Sequence, residues 1–309
     1  MYCAVPPDDA RDPGGDGGPL RIRAAGRRSF VGSSAAALDP TLTEYLSDMV
    51  RPYGMTVDQD LLGQGSGHSY GEMAAALIAE TIPADQPVDL IVLAFSIHDV
   101  VPGRSTAAYL SHLRPDQPMA FAVCDQGAAT PFTALRLIGA YAQTGSCQRA
   151  LLVTVEQAAL HYDLAAPAAV PARHAAVMLL LGDSGSGQVQ TVRLQAGLSP
   201  ERCGPALASE LAALSAGHAD VTLIAGNGLS GLVDTAAVSQ LQLAPAGQPC
   251  TGVWWELAGG LPGWAEQGRR VLLADYDPVL GYLGVAAIDV EASQPAGPPL
   301  PQLSAHRAQ

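Results

Sequence analysis

Apolar residues along the chain fall into two recurring patterns. The first is a continuous apolar run of six to eight residues, as at 88–95 (VDLIVLAF), 150–155, 174–181, 219–225 and 281–288. Such runs are typical of strands that are buried on both faces of a sheet. The second pattern, at 131–144, repeats Phe132, Leu135 and Ile138 at helical spacing, which predicts a helix with one face against a sheet. Together the patterns predict an α/β protein.

The segment 119–157 holds the most information about chemistry. It predicts a buried strand at 120–123, a turn of small residues at 125–129, a helix at 131–144 and a second strand at 150–155. Pro131 suits the first helical turn, and Gly145 lies where the helix would end. Small residues let a substrate approach the start of a helix, where free N–H groups favour negative charge.

The second half of the chain repeats the order of the first. Residues 219–225 repeat the run at 88–95, and residues 250–274 repeat the strand–turn–helix–strand segment, with Gly268 and Arg269 in the places of Gly145 and Arg149. The runs 174–181 and 281–288 are predicted to close each half. We therefore expect two halves, 20–190 and 191–291. The flanking segments 1–19 and 292–309 are rich in Pro and Gly and are predicted to be disordered tails.

The order and spacing of these segments resemble the thiolase superfamily, and within it the ketoacyl-synthase type III-like branch. Residues 120–123 match the family's strand before the nucleophile, Ala134 and Leu135 match its helix, and Gly145 with 149–153 matches the segment that follows. The resemblance implies the thiolase fold, an α/β fold with duplicated halves in a layered αβαβα arrangement. It also implies a dimer formed through the strand near 119–123.

The family's catalytic positions are replaced in this chain. The resemblance implies a nucleophilic Cys at the turn before the first helix, but that position falls on Ala128, or on Gly127 if the turn is one residue shorter. The family's His falls on Gly226 or Asn227. The family's Asn is expected within 251–256, which contains none, since Asn227 is the only Asn of the chain. All three departures predict a catalytically degenerate protein.

Two nucleophiles remain as alternatives. Cys124 would accept an acyl group with Asn227 as oxyanion donor, although a neighbouring carboxylate, Asp125, would raise its pKa. Ser69 lies in a G-x-S-x-G pattern, which would make the protein a serine hydrolase or acyltransferase. That pattern needs a buried strand before the Ser, and residues 58–65 do not predict one.

Four further residues are expected to line a pocket: His98, Phe132, Trp254 and Trp255. The two adjacent Trp side chains would fill space where a pantetheine or acyl chain would otherwise run. The pattern GDSGSG at 182–187 predicts a Gly-rich hairpin turn and not a protease site.

Composition limits the partners and the chemistry. The net charge of −13 argues against nucleic acid and anionic membranes. All sixteen Lys and Arg positions are Arg, which excludes a Lys Schiff base. The five Cys are widely spaced and form no C-x-x-C motif, so they indicate neither a zinc site nor a disulfide framework. No apolar run approaches the roughly 18 residues of a membrane span, so we expect a cytoplasmic protein without bound metal or cofactor.

The leading functional hypothesis is a ketosynthase III-like protein of fatty-acyl or polyketide-type secondary metabolism. It would be a degenerate subunit that pairs with an active ketosynthase homologue. A homodimer and a contact with an acyl carrier protein stay open. The alternative is a condensing enzyme or acyltransferase that uses Cys124 on acyl-CoA or phosphopantetheine-carried thioesters.

Overall fold

Ten strands and seven α-helices make up the part of the chain that the structure describes. The structure is a computed structural model that describes residues 19–101, 103–162, 169–234, 236 and 238–292. The strands are β1 (Arg21–Phe30), β2 (Leu90–Ala94), β3 (Met119–Val123), β4 (Arg149–Glu156), β5 (His174–Gly182), β6 (Gly187–Gln195), β7 (Val221–Ala225), β8 (Gln240–Leu243), β9 (Arg269–Asp277) and β10 (Tyr282–Val290). The helices are α1 (Pro40–Val50), α2 (Gln59–Gly63), α3 (Tyr70–Thr81), α4 (Thr106–Leu113), α5 (Thr130–Gln143), α6 (Pro200–Ser215) and α7 (Gly252–Gln267).

The strand order repeats between the two halves. The sheet runs β3-β2-β4-β5-β1-β6-β10-β9-β7-β8, so the first five strands have the same order as the last five, read from the opposite edge. In each half two strand pairings are parallel and two are antiparallel. The halves meet where β1 pairs with β6 through two residue pairs, Arg21 with Gln188 and Ile22 with Gly187. The predicted duplicated α/β fold is confirmed.

Alternating side chains on each strand divide the core into layers. On β2, Leu90 and Val92 join the central cluster, whereas Ile91 and Leu93 pack towards α3. On β7, Ile224 joins the same central cluster, while its neighbours pack towards α6. Because strand side chains alternate between faces, the order of layers is α3, first half-sheet, α5 with α7, second half-sheet and α6.

Most predicted elements lie within a few residues of the observed ones. The helix predicted at 131–144 is α5, and the strands predicted at 120–123 and 150–155 are β3 and β4. The GDSGSG segment connects β5 to β6, but β1 lies between these two strands in the sheet and pairs with both, so the predicted hairpin turn is wrong. The predicted tails lie outside the described residues except for Pro19 and Ala292. Within the described residues, every helix is too short or too polar to cross a membrane.

An aromatic contact lies at the centre of the middle layer. The rings of Phe132 on α5 and Trp254 on α7 meet edge to face, with 4.9 Å between their centroids. Both side chains are completely buried. This contact joins a helix of the first half to a helix of the second.

We predict that Trp254→Ala lowers the free energy of unfolding by about 3–5 kcal/mol, because it opens a cavity in this layer. Trp255→Ala is the matched control, since Trp255 is only half-buried beneath the guanidinium of Arg27. It should cost no more than about 2 kcal/mol. Urea denaturation measures both values. Equal losses would contradict the placement of Trp254 at the centre of the core.

Candidate functional site

The turn between β3 and α5 is the place where the sequence predicts a nucleophile. Its backbone is tight: Asp125 and Gly127 have φ angles of +63° and +54°, and residues Gly127–Ala129 form a 3-10 turn. Ala128 is buried and presents only a methyl group. No side chain caps the start of α5. The turn therefore has the expected geometry but carries no reactive atom at either predicted position.

A carboxylate from the second half of the chain packs against this turn. Asp277, at the end of β9, accepts hydrogen bonds through Oδ1 from the backbone N–H groups of Val279 and Leu280, both at 2.9 Å. These bonds hold the side chain against Gly127. A β-carbon built on Gly127 would lie 1.7 Å from Asp277 Oδ2. Only glycine fits at position 127 while Asp277 keeps this position.

Cys124 lies just before the turn in a setting that disfavours the thiolate. Its thiol donates to Asp125 Oδ2 at 3.0 Å. Partial burial and the Asp125 carboxylate raise the pKa of Cys124 to about 11. The imidazole of His98 is exposed, and its Nε2 lies 4.0 Å from Asp125 Oδ1. The carboxylate thus contacts both the thiol and the imidazole, and no hydrogen bond from the thiol to the imidazole is formed.

Asn227 follows β7 and uses its side chain to hold a neighbouring loop. Its amide donates to the carbonyl groups of Ala244 and Pro245, at 3.4 and 2.8 Å. The preceding residue, Gly226, packs directly on the carboxyl group of Asp275. A β-carbon there would lie 1.9 Å from Asp275 Oδ1. The position that would hold the family's His is therefore filled by a carboxyl group.

The turn before α7 lies further upstream than the sequence predicts. The helix begins at Gly252, so the turn comprises residues 245–251 and most of the predicted range 251–256 is helical. This turn contains Gln248, a buried carboxamide that sequence reasoning missed. Its Nε2 donates to Thr251 Oγ1 at 2.8 Å, and its Oε1 has no partner among the described residues. Pro245 and Gly247 are the signal that could have placed the turn correctly.

Glu156 is a second residue that the sequence did not single out. It ends β4 and accepts hydrogen bonds from the backbone N–H groups of Cys250 and Thr251, at 2.9 and 3.2 Å, and from the Thr251 hydroxyl. A carboxylate from the first half thereby binds the start of α7 in the second half. Burial raises the pKa of Glu156 to about 7.

The residues predicted to line a pocket are placed differently from one another. Phe132 and Trp254 fill the core, Trp255 packs under Arg27, and His98 is exposed. A cavity of about 230 Å³ lies beside α1 and α2, and another of about 180 Å³ lies between β1 and α7. Neither is lined by residues of the two turns.

Ser69 is a helix cap. Its hydroxyl oxygen accepts from the backbone N–H of Glu72 at 3.1 Å, and the Glu72 carboxylate accepts from the backbone N–H of Ser69. This reciprocal capping box starts α3. Ser69 is completely buried, and the residues before it form a loop and not a strand.

We predict that Gly127→Ala destabilises the fold more than Gly145→Ala does. Both residues have positive φ, but Gly145 has open space around it. Gly145→Ala should therefore cost about 1–2 kcal/mol from the backbone alone. Gly127→Ala should cost a further 1–3 kcal/mol, roughly, from overlap with Asp277. In a double-mutant cycle measured by urea denaturation, the added substitution Asp277→Ala should remove most of this further loss in the free energy of unfolding. If Gly127→Ala and Gly145→Ala lowered the free energy of unfolding equally, the close contact between Gly127 and Asp277 would be refuted.

Solved structures share this architecture, although sequence comparison alone finds nothing. No protein-family model and no curated protein matches the chain. ChlB3, described as an acyltransferase, matches with a TM-score of 0.60 at 15% identity, over 89% of this chain and 98% of ChlB3. A variant of OleA from Xanthomonas campestris matches with a TM-score of 0.57 at 14% identity, over 88% and 98%. AbyA1, a tetronic acid condensing enzyme, matches with a TM-score of 0.57 at 17% identity, over 87% and 99%. The chain therefore has the thiolase fold that these solved structures share.

Proposed function

We propose that this chain is a non-catalytic, ketosynthase III-like subunit that works beside an active thiolase-fold ketosynthase. The observation that carries the proposal is the turn before α5, where Ala128 offers no thiol and Asp277 fills the space beside Gly127. A Cys nucleophile at this turn needs a thiolate that the N-terminus of α5 stabilises, with no negative charge beside it. A carboxylate beside the turn opposes a thiolate by its charge.

The neighbours support the type of pathway. Condensing enzymes such as AbyA1, and a variant of OleA with bound lauric acid and lauroyl-CoA, share the fold. We therefore assign the chain to fatty-acyl or polyketide-type secondary metabolism. Its partner would take its acyl groups from acyl-CoA or from an acyl carrier protein.

The edge of the sheet at β3 is the surface that we assign to the partner. β3 pairs with β2 on one side and ends the sheet on the other. Exposed apolar or small residues near this edge, here called the β3 face, are Met119, Ala122 and Leu137. An unpaired strand edge with apolar neighbours is a template for pairing with another chain. His98 and Asp125 lie beside this face and would be the side chains closest to the partner's pocket.

The two enzyme alternatives make different predictions for the same assay. An acyltransferase that used Cys124 would form a thioester there, and a hydrolase that used Ser69 would form an ester. The high pKa of Cys124 and the capping role of Ser69 count against both.

We predict that acyl-CoAs and acyl carrier proteins leave this chain unmodified, both alone and in complex with a co-expressed ketosynthase homologue. Intact-protein mass spectrometry measures the adduct on each subunit. The partner should be acylated at least about tenfold faster in the complex, because this chain completes its pocket. Partner variants that lack the nucleophilic Cys are the control for non-specific labelling. A stoichiometric adduct on Cys124 or Ser69 would refute the non-catalytic assignment.

We predict that Ala122→Glu on β3 weakens subunit association by at least about tenfold, because it places an unpaired charge in the interface. Leu243→Glu is the matched control, since Leu243 is exposed on β8 at the opposite edge of the sheet. Light scattering coupled to size-exclusion chromatography measures the association. If both variants associate equally well, the partner does not bind at the β3 face.

A further inference from the structure

Three imidazole groups lie together where the segment after β4 meets the start of β5. They belong to His68 in the loop before α3, to His161 in the segment 157–162, and to His174, the first residue of β5. The rings of His68 and His174 meet edge to face, with 5.2 Å between their centroids. His161 lies close enough for its charge to act on His174. We call these three residues the histidine cluster.

His174 holds the segment 157–162 through one ring nitrogen. The backbone N–H of Ala158 donates to His174 Nδ1 at 3.3 Å. Because a backbone N–H group can only donate, Nδ1 must present its lone pair, and the imidazole is neutral in this contact. A second proton on His174 has to bind at this same nitrogen. It would turn the acceptor into a donor and set two N–H groups against each other.

The segment 157–162 also contacts elements beyond β5. The carbonyl of His161 accepts from the backbone N–H of Asp58 at 2.7 Å, and His161 Nε2 donates to the carbonyl of Ser66 at 2.7 Å. Gln157 Nε2 donates to the carbonyl of His98 at 3.3 Å. The segment therefore joins β4 to the start of α2, to the loop before α3 and to the loop that carries His98.

Charged groups surround the histidine cluster on the neighbouring elements. They are Arg28 of β1, Asp58 at the start of α2, Glu72 of α3, Glu156 at the end of β4 and Arg173 before β5. The charge of Asp58 acts on His161, and Glu72 interacts with His68. Within the described part of the chain, no carboxylate oxygen lies within 4 Å of a ring nitrogen of His174. A proton on His174 therefore meets other imidazoles and not a counter-ion.

The direction of the pKa of His174 agrees with this geometry. Burial, together with the neighbouring imidazoles of His68 and His161, lowers the pKa of His174 to about 4. The unfolded chain binds this proton near pH 6.5, where the folded chain does not. The stabilisation from neutral His174 is therefore complete above about pH 6.5 and is lost as the pH falls towards about 4.

His161 responds to acid in a different way. Burial lowers its pKa as well. Its contact with Ser66, however, uses a nitrogen that donates to a carbonyl, and this hydrogen bond is kept when a second proton binds to the ring. Of the two contacts, only the one between His174 and Ala158 requires a neutral imidazole.

We propose that the histidine cluster is an acid-sensitive contact, in which a proton on His174 Nδ1 displaces the N–H of Ala158 and releases the segment 157–162 from the start of β5. Because Gln157 belongs to the same segment, the release also weakens its hydrogen bond to the carbonyl of His98. The acid-sensitive step does not depend on the proposed function.

Amide hydrogen exchange of peptides that cover residues 157–162 measures the release. The rate at each pH is divided by the intrinsic rate of an unstructured peptide, so that the ordinary pH dependence of exchange cancels. We expect the protection of this segment to fall at least about tenfold between pH 7 and pH 5, since one pKa unit corresponds to one factor of ten. Peptides that cover β2 should keep their protection, which distinguishes local release from unfolding.

His174→Asn separates the acceptor from the titration. The carboxamide oxygen of Asn accepts a hydrogen bond but does not gain a proton in this pH range. The variant should therefore keep the protection of 157–162 at both pH 7 and pH 5. His112→Asn is the matched control, because His112 is an exposed imidazole on α4, and it should show the full fall of the wild type.

A second variant keeps the test decisive if His174→Asn does not fold. His68→Phe keeps a ring beside Phe30, whose centroid lies 5.8 Å from that of His68, but removes a neighbouring charge that opposes protonation of His174. Its protection should begin to fall at a higher pH than in the wild type. Constant wild-type protection between pH 7 and pH 5, a full fall in His174→Asn, or an unchanged transition in His68→Phe would overturn the proposal.

Discussion

The enclosure of α5 and α7 between two half-sheets is the constraint on which the rest of the structure depends. Helices in this position must satisfy their first N–H groups from the protein, since water does not reach them. At α7 the acceptor is Glu156, which belongs to the opposite half. At α5 the chain turns tightly on itself, with the N–H of Ala129 bound to the carbonyl of Gln126 and the Thr130 hydroxyl bound to the carbonyl of Gly127. The polar contacts at α7 therefore join the two halves, whereas those at α5 stay within the first half.

The sequence predicts the central strands and the duplication because both depend on local pattern. The apolar run at 88–95 contains β2, and the run at 219–225 contains β7, since strands buried on both faces leave little room for polar residues. β1 and β8 escaped prediction for the opposite reason. β1 carries four Arg, at 21, 23, 27 and 28, and β8 is a short edge strand that reads Gln-Leu-Gln-Leu. Their place in the sheet comes from neighbouring strands and not from their own hydrophobicity.

The sequence predicts the turns after β3 and β7 but misplaces the turn before α7, and it does not predict which side chains fill these turns. The absence of Cys, His and Asn at the three predicted positions is readable from the sequence. What replaces them is not, because Asp275 and Asp277 come from β9, far along the chain from Gly226 and Gly127 respectively. Gln248 was missed because the start of α7 depends on a bond from Glu156, about ninety residues earlier. Contacts of such long range leave no periodic signal in the sequence.

The contact between Gly127 and Asp277 also bears on how this chain could change over time. Any residue other than glycine at position 127 meets the carboxylate of Asp277 before it can offer a functional group. Removing Asp277 first would leave the backbone of the β9–β10 turn without the bonds that it makes to Val279 and Leu280. A thiol at position 127 thus requires two coordinated substitutions, each of which is unfavourable by itself. Positions 127 and 277 are therefore coupled, and neither residue can change alone without a cost to the fold.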